Sequence, residues 1–150
     1  VTSALEYGNK VEKYGLGGNR LMSGIFSHGD LSANFNGMRF WNHMLQKGSD
    51  VLGSTYNVGP YIRCENKKWV KTNNPLDFSH YIDQSMDESI NCSRLPSQKA
   101  AYRMIDAIKN SGYKGPICAK DNPALQELKE KYLPNGIYRY LVNFNGLSKY

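Results

Sequence analysis

Hydrophobic positions along this chain fall mostly into helical rather than alternating patterns. The clearest run starts at Ser27 or Asp30, either of which can cap it, and reaches about Gln46. Within it Leu31, Phe35, Met38, Trp41 and Leu45 recur at steps of four, three, three and four, which draws one apolar stripe along a helix. Phe40 and Met44 widen the stripe, and Gly48 is the natural stop. This helix is expected to turn the whole stripe inward and to anchor the core.

Four other segments read as helices. Thr2 to Tyr14 carries Leu5, Tyr7, Val11 and Tyr14 on one rough face, and Gly15, Gly17 and Gly18 would end it. Residues 76–91 place Phe78, Ile82, Met86 and Ile90 every four residues. Ser97 caps a run in which Ala101, Met104, Ile105 and Ile108 face inward, with Gly112 at its end. Asn122-Pro123 opens the last in the usual order of cap and first-turn proline, with Leu125, Leu128, Tyr132 and Leu133 on the inner face and Pro134-Asn135-Gly136 as the stop.

Strand signals are fewer. Residues 48–60 are rich in Gly, Ser and Asn and read as loop. Residues 61–72 then form a hairpin, Tyr61 to Glu65 against Trp69 to Thr72, turning at the polar Asn66-Lys67-Lys68. Residues 137–144, β-branched and aromatic, read as a third strand that could pair with it. About five helices with a small antiparallel sheet make the fold class mainly α, or α+β; strands and helices do not alternate as a doubly wound parallel sheet requires. With 150 residues the chain suits one compact domain, either whole or a module of a longer protein.

Charge adds little pattern. The net charge is +6, from 19 bases and 13 acids, but the bases are spread over both halves, and the densest group is Lys67, Lys68 and Lys71. A nucleic-acid binder gathers its bases on one stripe, so this chain is at most a weak one. No apolar run reaches the ~20 residues of a membrane span. Three cysteines allow one internal bridge at most; Cys64 to Cys92 is the most plausible pair, against a plain reading of three buried thiols. Such a bridge, the eleven tyrosines, a first residue other than Met and the sequon Asn91-Cys92-Ser93 point to an extracytoplasmic protein, secreted or periplasmic.

Candidate chemistry sits in a few places. His28, Asp30 and Asn34 gather at the start of the long helix, a minimum kit for general acid–base work; the plain alternative is a capping Asp beside a surface His. Between Thr72 and Ser93 lie four acids and no Lys or Arg. If residues 76–91 are helical, His80, Asp83 and Asp87 share a face and could hold a divalent cation, the one cofactor the chain invites, unless they form a solvated face or pair with the chain's own bases. Asp87 and Glu88 join the catalytic candidates, and Cys92 is a weak candidate nucleophile. His43 is expected to be a flanking histidine with its needs met. The glycine-rich Gly15-Leu16-Gly17-Gly18-Asn19-Arg20 lacks the strand and the GK[ST] of a phosphate loop. Tyr61, Arg63 and Trp69 with Tyr138, Arg139 and Tyr140 would form an aromatic and cationic binding surface if the strands pair.

These features favour an extracytoplasmic binding or assembly domain, part of a larger protein or complex, with a protein partner or a second copy as ligand and carbohydrate as the other option. The alternative is a hydrolase acting on glycan or peptide through a His, Asp and Glu site. That reading requires a carboxylate in a cleft within reach of another polar group.

Overall fold

In the computed structural model, residues 2–14 and 25–147 are described, and they form five helices and one two-stranded antiparallel sheet. The helices are α1 (Thr2–Tyr14), α2 (His28–Leu45), α3 (Gln98–Asn110), α4 (Pro123–Lys131) and α5 (Tyr138–Leu141); the strands are β1 (Ile62–Glu65) and β2 (Lys68–Lys71). The expected glycine stop and loop at Gly15–Arg20 lie outside the described residues. The helix starts follow the caps seen in the sequence. Ser27 Oγ accepts from the Asp30 amide, Ser97 from Ala100, and Asn122 from Ala124 with Pro123 in the first turn. None of the helices is long and apolar enough to cross a membrane, among the described residues.

The core joins Leu5 of α1, Leu31 and Phe35 of α2, Leu125, Leu128 and Tyr132 from α4 and its end, and Ile137, Leu141 and Val142 around α5. The apolar stripe of α2 is only half internal. Leu31 and Phe35 are buried and Met38 is half-buried, but Trp41 and Leu45 are 70% and 41% exposed. A polar stripe, Ser32, Asn36, Arg39 and His43, points inward instead, each residue at most 1% exposed. Leu133 is exposed too, and of the α1 face Leu5 is buried while Tyr7 and Val11 are not.

Two expected elements take other forms. Residues 76–91 are not a helix. They make short 3-10 turns at Phe78–His80 and Gln84–Met86, and the aspartate of each Asp-x-Ser triplet accepts the amide hydrogen bond of the serine two residues on: Asp77 from Ser79, Asp83 from Ser85, Asp87 from Ser89. A side chain that captures the amide two residues ahead competes with the helical hydrogen bond. Residues 137–144 are not a strand either. Asn135 and Gly136 turn the chain at positive φ, and the buried positions Ile137, Leu141 and Val142 follow helical spacing through α5 before Val142 becomes extended. The hairpin therefore has no third strand. Its register pairs Ile62 with Lys71 and Cys64 with Trp69, and its two-residue loop, Asn66-Lys67, has both φ values positive, as the tightest hairpin turns require.

The hairpin hangs from the end of α2. The Tyr61 amide donates to the carbonyls of His43 and Met44, and Gln46 Oε1 accepts from Gly59, so the incoming strand satisfies groups that the helix end leaves open. A Cβ on Gly59 would lie 2.3 Å from the His43 carbonyl, so this close approach requires glycine.

The polar stripe of α2 lies along a buried chain of hydrogen bonds. Tyr61 Oη meets Tyr81 Oη at 2.8 Å, Tyr81 meets His43 Nδ1 at 2.7 Å, and His43 Nε2 lies 2.7 Å from Asp50 Oδ2. Arg39 Nε donates to both Asp50 oxygens, and its Nη1 to Asn36 Oδ1. Asn36 Nδ2 donates to Tyr132 Oη, which donates to Asp83 Oδ2, where Lys131 also binds. Removing one member of a buried pair strands the other charge, at about 3–5 kcal/mol. Arg39→Ala is expected to destabilise the fold by about that much in urea unfolding; a loss below about 1 kcal/mol would show that the chain of bonds is not a support.

Candidate functional site

Two sequence motifs far apart in the chain meet at the start of α2. Phe26 and Arg94 exchange both backbone hydrogen bonds, each 2.9 Å, in an isolated antiparallel bridge. That bridge sets Ser27 and Asp30 beside Glu88 and Ser93, and with Leu95 and Met104 they line a cleft of about 680 Å³. Glu88 is half-buried and held on both oxygens: Oε1 accepts from the Ser93 amide, and Oε2 from Ser93 Oγ at 2.9 Å. Burial raises its pKa against the lowering effect of those two bonds, and the charges of Asp30 and Asp87 push the same way. Arg103 of α3 stands in the cleft wall.

His28 does not reach into this cleft. It is 2% exposed, packed edge-on to Phe26, and hydrogen-bonded to the Cys92 backbone, while its Nδ1 has no partner. Burial, helped by the charge of Arg94, lowers its pKa to about 4, so the ring is neutral at pH 7. Asn34 is exposed on α2 and borders a different hollow, against α1. Of the three residues predicted at this helix start, only Asp30 joins the cleft, and Glu88, a candidate from the acidic stretch, is brought to it.

The disulfide is Cys92–Cys118, not Cys64–Cys92. Cys64 sits on the exposed hairpin, whereas the Cys118 amide donates to the Ser89 carbonyl at 2.7 Å and so lies beside Cys92. Cys92 is thus not a free nucleophile. Asn91 of the sequon is fully buried, donating to the Ser85 and Leu141 carbonyls and accepting from the Asn143 amide, so it is no surface acceptor for a glycan.

The proposed cation ligands do not converge. Asp83 is occupied by Lys131, Tyr132 and Ser85, Asp87 by the amide and hydroxyl of Ser89, and the His80 side chain is exposed. No group of three or more His, Cys, Asp or Glu able to hold a metal is gathered among the described residues. The aromatic and cationic surface is likewise divided. Tyr61 is buried, Arg63 pairs with Glu65, and Tyr138, Arg139 and Tyr140 belong to α5, which forms no sheet with the hairpin.

The second end of α2 carries a feature the sequence reading missed. Phe40 contacts the rings of Trp41, Phe78, Tyr61 and Tyr81 at 5.4–6.3 Å. Tyr61 and Tyr81 lie inside; Trp41 and Phe78 stand out, 70% and 55% exposed, with Ile82 at 64% on the same turn as Phe78. Trp41 and Leu45 also wall a groove of about 640 Å³ with Lys47. The result is a ridge of exposed aromatic and aliphatic side chains over the buried Tyr61–Tyr81–His43 bonds. Placing Arg39 and His43 inside forces Trp41 outside, so the polar positions within the stripe were the available signal.

Comparison with family models, with curated proteins and with solved structures finds no match to this chain.

The His28 shift has a measurable sign. Its folded pKa lies below its unfolded value of 6.5, so the unfolded chain takes up the proton first as pH falls, and stability drops between about pH 6.5 and about pH 4. The full span is worth about 3 kcal/mol. Glu88, raised, works in the opposite direction at its own range, so the comparison is with His28→Gln: urea unfolding from pH 7 to 4 should show a flatter decline in the variant. Parallel declines would mean that His28 takes up its proton as readily in the fold as in the unfolded chain.

Proposed function

We propose that this chain is an extracytoplasmic binding domain that docks a protein partner through the ridge of Trp41, Phe78 and Ile82. The observation that carries this reading is that two exposed aromatic side chains, Trp41 and Phe78, both pack on the ring of Phe40 at one end of α2. Exposed apolar groups gathered in one place mark interaction surfaces, and aromatic rings dominate the energy of such contacts. The ridge replaces the aromatic and basic surface expected from the strands. The Cys92–Cys118 bridge supports an oxidising compartment. A photo-crosslinking amino acid placed at Trp41 or Phe78 should yield adducts in the native cell, while one at Tyr102, exposed on α3, should not. Equal labelling at all three positions, or none at any, would end this reading.

A second reading, a hydrolase acting on glycan or peptide, is favoured by one observation: Asp30 and Glu88 share a cleft, and burial raises the pKa of Glu88 there. A carboxyl whose proton affinity is raised by burial can serve as a general acid, and such catalysis contributes about 10²–10⁴-fold. Glu88→Gln and Asp30→Asn should then each lower turnover on a glycan and peptide panel by about 10²-fold or more at an unchanged melting temperature. Absence of turnover by the unaltered chain across that panel removes the reading.

A further inference from the structure

We infer that the partner seated on the ridge is an acidic protein segment bearing aromatic or branched aliphatic side chains, an inference that rests on the ridge reading above. The apolar half of the argument is geometric. Trp41 and Leu45 wall the groove of about 640 Å³, and Trp41 and Phe78 flank the half-buried ring of Phe40, so two or three side chains of an incoming segment have places to enter. The deep wall of that groove offers no free charge: Arg39 and Asp50, each 1% exposed, neutralise one another, and His43 lies against the same carboxylate.

The acidic half comes from what surrounds the ridge. Lys47 lies in the groove wall. The hairpin, joined to α2 through the Tyr61 amide, carries Arg63, Lys67, Lys68 and Lys71 against one acid, Glu65, which is paired with Arg63. Lys47 and Lys71 are exposed, and among the described residues neither has a carboxylate within salt-bridge distance. Asp77, the acid beside Phe78, has one oxygen on the Ser79 amide. Trp69, 63% exposed, shares the strand face of Lys71 and adds a further aromatic surface there, whereas Lys68 points to the other face, opposite Glu65. Lys71 pairs with Ile62, next to the Tyr61 ring that meets Phe40, so a segment lying from the groove towards the hairpin would place its apolar side chains against Trp41 and Phe78 and its carboxylates near Lys47 and Lys71. Complementary charge of this kind sets orientation and speeds encounter, whereas the buried aromatic contacts hold the complex.

The test is a peptide-display selection of random twelve-residue sequences on the full chain. The enriched peptides should combine Asp or Glu with Trp, Phe, Leu or Ile. They should bind at least tenfold more weakly to Trp41→Ala, to Phe78→Ala and to the double variant Lys47→Glu/Lys71→Glu, each first shown to keep its melting temperature. Enriched peptides that are neutral or basic, or that ignore the lysine reversals while still depending on Trp41, overturn the acidic partner and leave the ridge reading standing. Peptides indifferent to both Trp41 and Phe78, or a selection with no enrichment, overturn the ridge as well.

Discussion

The buried pairing of Arg39 with Asp50 is the constraint on which the rest of this structure depends. A guanidinium at 1% exposure cannot be left without a counter-charge, and Asp50 must be brought to it from the loop that follows α2. Around that pair every neighbour is recruited in turn. Asn36 and His43 from α2, Tyr81 from the Asp-x-Ser region and Tyr132 from the end of α4 all meet there or one bond away. The interior of this small protein is held in place by directional bonds as much as by apolar burial, and directional bonds allow few alternative packings.

That choice explains which parts of the architecture were legible. Helix starts were, because Ser27, Ser97 and Asn122 act locally and their side chains satisfy amides two or three residues away. The mainly α class with a small sheet was legible for the same reason. The inward face of α2 was not: periodicity counts apolar residues, and here Asn36, Arg39 and His43 take interior places from Trp41 and Leu45. In residues 76–91 three Asp-x-Ser triplets override an apolar period of four, and in residues 137–144 the helical spacing of Ile137 and Leu141 overrides a β-branched and aromatic composition.

The site was legible in pieces. Asp30 and Glu88 were each visible as candidates, but the Phe26–Arg94 bridge that unites them joins segments nearly seventy residues apart and leaves no periodic trace. Asp83 and Asp87 looked like ligands because they were acidic and spaced; both act instead on local turns, and Asp83 also on Lys131. The cleft and the ridge sit at opposite ends of one helix. The cleft is built from groups held by the chain, with Glu88 fixed by Ser93, whereas the ridge is built from groups that the chain leaves without cover.

The three Asp-x-Ser turns bear on how the chain finds this arrangement. Each closes over only two residues, so it costs little loop entropy and can form before distant segments meet. Asn91, at the end of this series, must later join Leu141 and Asn143, about fifty residues on. A connecting stretch already bent by its own aspartates presents Asn91 to that late encounter in a narrowed set of shapes. The acidic run thereby narrows the conformational search that precedes those two contacts, an effect its aspartates exert on their own backbone and at a distance from any ligand.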